Sequence, residues 1–162
     1  MKKKYENSLR EIINEYNIKP KKKLGQNFLH DKNIISSIVI KADVEGEDII
    51  EIGPGPAILT ESILKNKARS LLAIEKDNSF EMNLKKIKNN YKDNFDYLIN
   101  DVIDFDFKTL TKKDYKFVSN LPYNISVPFI LKMIKIRKII PWKEMILMVQ
   151  KEVAERITAD IG

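Results

Sequence analysis

The chain contains no cysteine, which removes disulfides, thiolate metal sites and a cysteine nucleophile together. It has one histidine, His30, so a His-rich metal centre is excluded and a histidine-dependent triad would have a single candidate. No uncharged apolar run approaches the roughly 18–20 residues of a membrane span. The lysine-rich N-terminus lacks the apolar core of a secretory signal. The expectation is a soluble cytoplasmic protein, monomeric, without membrane or metal.

What the chain does have is enough length and apolar content for a core. Its 162 residues and 43% hydrophobic content fit one compact domain rather than a disordered polymer. Charge is unevenly placed. Residues 1–23 hold eight basic and three acidic residues, so they carry five of the net six positive charges. Such a stretch is either a solvated tail or a basic arm for a polyanion, with Lys21, Lys22 and Lys23 its densest part.

Leu9, Ile12, Ile13 and Tyr16 recur at helical spacing, which predicts a short helix over 7–17. A second helix follows Asp31 as N-cap, with Ile34, Ile35, Ile38 and Val39 on one face. From there strands and helices alternate. Strands are predicted at 48–52, 71–75, 95–99, 116–119 and 145–149, with helices at 57–66, 78–90, 126–136 and 150–158. Ser126 is read as the cap of the third of these helices, and Pro128 is tolerated in its first turn. Alternation of this kind implies a Rossmann-like α/β domain, a parallel sheet with helices on both faces.

Ligands of such sheets bind where the strand order switches, at the carboxyl ends of the strands. Four segments fall at such ends. Glu51-Ile-Gly53-Pro-Gly55-Pro-Ala57 is a glycine turn, where Gly53 and Gly55 permit sharp bending and close approach; Ile58 stands where a dinucleotide fingerprint needs its third glycine. Glu75 ends the second strand, placed to accept from both hydroxyls of a ribose. Asn100-Asp101 ends the third; Asp101 suits an adenine amino group, and equally a turn cap.

The fourth segment, Asn120-Leu121-Pro122-Tyr123-Asn-Ile-Ser126, bears on the chemistry. An exocyclic adenine nitrogen is a poor nucleophile because its lone pair is delocalised into the ring. The Asn120 side-chain carbonyl and a main-chain carbonyl of Leu121 or Pro122 can hold its two N–H groups and favour a tetrahedral nitrogen. Tyr123 can stack on a flipped-out base, worth roughly 1–3 kcal/mol. No strong base is required, since the nitrogen becomes acidic only once methylated.

Together these segments resemble the ribosomal RNA small-subunit adenine N6-dimethyltransferases, the bacterial A-type family. Leu24-Gly-Gln-Asn-Phe-Leu29 resembles the family's N-terminal cofactor motif and Glu51-Ile-Gly-Pro-Gly55 its glycine loop. Ile74-Glu75 resembles the ribose motif and Asn100-Asp101 the adenine motif. Asn120-Leu-Pro-Tyr-Asn-Ile-Ser126 resembles the catalytic motif, and Gln150-Lys-Glu-Val-Ala154 the segment after the fifth strand. The resemblance spans about residues 19–162.

It implies S-adenosyl-L-methionine as methyl donor and two neighbouring adenines near the 3′ end of small-subunit rRNA, in the immature small subunit, as acceptor. It also implies that Asn27, Leu29, Gly53, Gly55, Glu75, Asp101 and Asn120 contact the cofactor or transfer site. Two departures stand out. Ala57 occupies a position where many members have glycine. The family also continues past the equivalent of Gly162 with the last strands of the sheet and a helical domain, so the expected fold is an incomplete methyltransferase domain (24–162) behind a basic arm (1–23), its fifth strand an open edge. The alternatives are a non-catalytic RNA-binding assembly factor, a large-subunit rRNA adenine methylase and a nicotinamide oxidoreductase. Asn120 argues against a DNA adenine methylase, which more usually has Asp there.

Overall fold

The computed structural model describes residues 9–16, 28–110, 114–140 and 142–160. Lys21, Lys22, Lys23 and Asn27 lie outside them. Five parallel strands form the sheet: β1 (Asp48–Ile52), β2 (Ser70–Glu75), β3 (Phe95–Ile99), β4 (Tyr115–Asn120) and β5 (Trp142–Met148). Their order is β3-β2-β1-β4-β5. The chain therefore steps outward from β1 to β3, crosses back and steps out the other way, which puts the switch point between β1 and β4.

The helices are α1 (Leu9–Glu15), α2 (Lys32–Ala42), α3 (Ile58–Lys65), α4 (Glu81–Asn90), α5 (Ser126–Ile136) and α6 (Lys151–Thr158). Strand alternation divides the core in two. Ile49, Leu71, Ala73, Phe95 and Val118 face α1 to α4, while Ile50, Ile52, Ile74 and Phe117 face α5 and the loop after β3. On the second face Phe107, Phe117 and Phe129 pack with ring centroids 5.9–6.4 Å apart. β1 is buried along its whole length, as a central parallel strand must be.

Four local expectations need correction. Asp31 does cap α2, accepting from the Asn33 and Ile34 amides, but the buried stripe is Ile35, Ile38, Val39 and Ala42, leaving Ile34 exposed. That stripe keeps strict i, i+3, i+4, i+7 spacing, and Ile34 lies one residue off it. Ser126 is the first helical residue rather than the cap; its hydroxyl donates to the Tyr123 carbonyl. β5 begins at Trp142, three residues earlier than read, because it pairs with β4 from Tyr115 onward across a bulge at Tyr115/Lys116. Residues 78–80 form a 3₁₀ turn that leads into α4.

Among the described residues β5 pairs only with β4. Its residues are half-exposed, α6 buries none of its own, and Val127, Leu131 and Ile134 of α5 are exposed. α1 is docked rather than free: Ile12 is buried and Glu15 pairs with Lys86 of α4.

Candidate active site

The switch point opens as a cleft of about 830 Å³, counting space open to solvent at its mouth. β1 and β4 create it by diverging. Their residues pair at Ile49↔Lys116 and Ile50↔Phe117, and further along the Ser119 hydroxyl accepts the Ile52 amide at 2.7 Å. The side chain completes the ladder and lets the two backbones part.

The loops leaving those strands touch across the gap. A Cβ at Gly53 would lie 3.0 Å from the Pro122 ring, and Gly53 has φ +64°. Both the left-handed backbone and the contact with Pro122 demand glycine. Gly55 (φ +53°) donates its amide to Glu75 Oε2 at 3.0 Å, tying the glycine loop to the end of β2. Ala57 also adopts left-handed geometry, φ +64°, at the start of α3. This is the conformation glycine favours, so the departure noted in the sequence is paid in backbone strain rather than in lost space. Phe28 packs on Gly55 and edge-on to Phe80, with Leu29 beside it in the cleft wall.

Glu75 is buried, and the Asp77 amide donates to its second oxygen at 2.7 Å. Burial raises its pKa; the amides of Asp77 and Gly55 oppose that rise, and the Asp77 charge adds to it. Two main-chain donors thus fix the carboxylate while each oxygen retains acceptor capacity toward the cleft. Asp101 opens the turn after β3, accepting the Ile103 amide at 2.9 Å, and its other oxygen meets Lys76 Nζ at 2.5 Å. That lysine holds the Asp101 carboxyl below its usual range. Asp101 therefore serves as a turn cap and still faces the cleft.

Asn120 ends β4 and lines the cleft with Pro122. Leu121 is buried in the core, its amide donating to the Met148 carbonyl at 3.0 Å. The Pro122 carbonyl accepts the Ile125 amide at 3.2 Å and closes the turn into α5. Tyr123 stands 42% exposed, outside the cleft lining. His30 Nδ1 lies 3.2 Å from the Phe28 carbonyl, exposed.

Glu51 opens the glycine-loop motif, with no role expected from the sequence. It is buried in the cleft floor, with Thr60 donating to Oε2 at 2.6 Å. Burial lifts its pKa to about 8; Thr60 opposes this and the Glu75 charge adds to it. Lys76, Asn124 and Ile125 also line the cleft unpredicted. Position beside the glycine loop, Glu75 and Asn120 was the available signal for each.

A glycine loop after β1, a held carboxylate at the end of β2 and a cleft at the switch point define a Rossmann-like domain of the nucleotide-cofactor-binding class. Residues 17–162 match the family described as ribosomal RNA adenine dimethylase, and the chain belongs to that family. It is 44% identical over 142 residues to the ribosomal RNA small subunit methyltransferase A of Anaplasma marginale, covering 87% of this chain and 52% of that protein. Against the protein of the same name from Mycoplasmopsis synoviae it is 43% identical over 148 residues, covering 91% and 55%. The chain spans about half the length of these relatives.

Among solved structures, a dimethyladenosine transferase from Plasmodium falciparum superposes with a TM-score of 0.69 at 29% identity, covering 83% of this chain and 47% of that one. The 23S rRNA methyltransferase ErmE shares the fold, with a TM-score of 0.68 at 23% identity over 84% of this chain and 53% of its own.

Proposed function

We propose that this chain binds S-adenosylmethionine and carries the methyl-transfer site of an rRNA adenine N6-dimethyltransferase. Its substrate would be two adjacent adenines near the 3′ end of small-subunit rRNA, in the immature subunit, and it would act as a cytoplasmic monomer. The observation that carries this reading is the meeting of Gly53, Glu75, Asp101 and Asn120, from four strand ends, in one cleft.

The residues present fit the cofactor. Glu75 offers acceptors to a ribose diol, Asp101 an acceptor to the adenine amine, and the left-handed glycine loop a close main-chain approach. When bound, the cofactor supplies a methyl group activated on a sulfonium. Asn120 would accept one N–H of the target amine through its side-chain carbonyl. The second acceptor would be the main-chain carbonyl of Leu121 or of Pro122, the latter also closing the turn onto Ile125 with one of its two lone pairs. The Leu121 amide, anchored on Met148, holds that segment in place. Tyr123, exposed at the rim, would stack on the base. Lys21–Lys23 are read as phosphate contacts, whose replacement by alanine should flatten the salt dependence of RNA binding.

The test compares this chain with Asn120→Ala. S-Adenosylhomocysteine should bind both within about threefold by calorimetry. Transfer of labelled methyl to immature small subunits should fall about 10²–10³-fold, the cost of losing one positioned hydrogen-bonding group. Equal transfer by both chains would remove Asn120 from the mechanism. Cofactor binding without transfer by the unsubstituted chain would favour the assembly-factor reading instead.

A further inference from the structure

Asp101 through Phe105 form a single helical turn, with the amides of Asp104 and Phe105 both donating to the Asp101 carbonyl. Its first residue is capped by its own carboxylate at the Ile103 amide. Its far end is closed by another element. Lys132 of α5 donates to the carbonyls of Val102 at 3.1 Å, Ile103 at 2.6 Å and Phe105 at 2.7 Å. An ammonium has three protons, and all three are used here on one turn. The nitrogen also lies 5.2 Å from the Phe107 ring centroid, half-buried above an aromatic face.

A lysine directed inward at main-chain carbonyls gives up hydration that a surface lysine keeps, so the contact must fix something. The turn it fixes presents Asp101 and Val102 to the cleft. The helix that bears it starts at Ser126, three residues after Tyr123. Lys132 thus ties the turn that bears Asp101 to the helix that follows the Asn120–Tyr123 segment.

We propose that Lys132 is a positioning residue for base recognition in this cleft, holding the Asp101–Phe105 turn against α5 so that the Asp101 carboxylate stands where an adenine amine can reach it. This rests on the nucleoside-cofactor reading above. Partial burial lowers the Lys132 pKa, and the carboxylates of Asp104, Asp106 and Asp101 facing it oppose that shift.

The experiment uses the chain itself, Lys132→Met and Lys132→Arg. Amide exchange of Asp104 and Phe105 is followed without ligand, and calorimetry gives affinities for S-adenosylhomocysteine and its inosine counterpart, which presents a carbonyl in place of the amine. In Lys132→Met exchange should accelerate about tenfold or more. Its affinity for S-adenosylhomocysteine should fall about tenfold, with the inosine compound changed less than about twofold, so that base preference shrinks. Lys132→Arg keeps the charge and should fall between; it decides the matter if the Met variant does not fold.

A lower melting temperature with both ligands weakened equally would mean that Lys132 only stabilises the fold, and would overturn the proposal, as would unchanged exchange. If the unsubstituted chain binds neither nucleoside, the cofactor reading fails, and base recognition with it. Exchange would still show whether Lys132 holds the turn.

Discussion

The two ends of the sheet treat buried charge in opposite ways. At the amino end, Lys116 is buried on β4 and surrounded by partners. It donates to the Ala42 and Asp43 carbonyls and pairs with Glu47 at 3.4 Å and Glu144 at 3.0 Å. Burial pulls its pKa down, but Glu144 and Glu47 outweigh that and leave it raised. Glu47, bonded to Lys143, titrates below its ordinary range. Asp48 is met by Arg69 and Ser70. Each charge there is answered from within the fold.

At the carboxyl end the same strands bear Glu51 and Glu75, three and five residues beyond Asp48 and Ser70, and both are pushed up by burial. Their partners among the described residues are a hydroxyl and main-chain amides. Charge that serves the fold is neutralised inside it. Carboxyls that burial pushes toward the protonated form line the cleft, and perturbed acids of this kind cluster at functional sites.

The sharpest way to test that contrast is to remove the cation at the amino end. Lys116→Met should cost about 3–4 kcal/mol in urea unfolding, because two carbonyls and two carboxylates lose their donor, although the part-exposed Glu144 recovers water. S-Adenosylhomocysteine affinity of the folded fraction should be unchanged. A cost below about 1 kcal/mol would mean that the network is surface decoration.

At the opposite end, neutralising an acid should help. Glu51 keeps its proton to about pH 8 in the fold and only to its ordinary 4.5 when unfolded. The stability this confers is complete below pH 4.5, falls as pH rises, and is gone above about 8. Glu51→Gln should therefore abolish that slope and exceed the parent by about 2–3 kcal/mol at pH 9, while matching it near pH 4.5, allowing for relaxation around the buried charge. Parallel pH profiles for the two chains would place Glu51 among ordinary solvated acids.

How much of this contrast the sequence discloses depends on the range of the interaction. β1 and β3 match their predicted bounds because apolar runs between turn residues are local signals. Gly53, Glu75, Asp101 and Asn120 were legible for a related reason: in an alternating α/β chain, a strand end is already an address. Lys116 and Lys132 were not. A lysine reads as surface until something distant meets it, and their carbonyl partners lie 73–74 and 27–30 residues away. Leu121 and Tyr123 are two residues apart, yet one is core and the other rim. That separation is set by the Pro122–Ile125 turn rather than by composition.

The third prediction bears on ligand recognition at the carboxyl end. Glu75→Gln would replace one of the two oxygens that accept from Gly55 and Asp77 with an NH₂ facing an amide donor. The loss of a charged acceptor and the donor clash should weaken S-adenosylhomocysteine about tenfold to thirtyfold, or roughly 1.4–2 kcal/mol. Unaltered affinity would mean that Glu75 merely braces the glycine loop.

The smallest effect concerns two residues that share one backbone conformation at opposite ends of the sheet. Ala57 (φ +64°) starts α3 beside the cleft, and Lys67 (φ +61°) follows the same helix at the amino end. Left-handed geometry costs a non-glycine residue about 1–2 kcal/mol. Glycine would relieve that strain but give back about 0.4–1 kcal/mol in unfolded-chain entropy. Ala57 has a third term, because its methyl is buried and is worth about 0.8 kcal/mol. Ala57→Gly should thus fall within about 0.5 kcal/mol of the parent in urea midpoint, the three terms nearly cancelling. Lys67→Gly, exposed and losing only a surface pair with Glu45, should gain about 0.5–1 kcal/mol. A gain at Ala57 as large as that at Lys67 would show that its methyl contributes no packing. Strain would then be the whole reason glycine suits that place, and the core around Ala57 would be more loosely built than its burial implies.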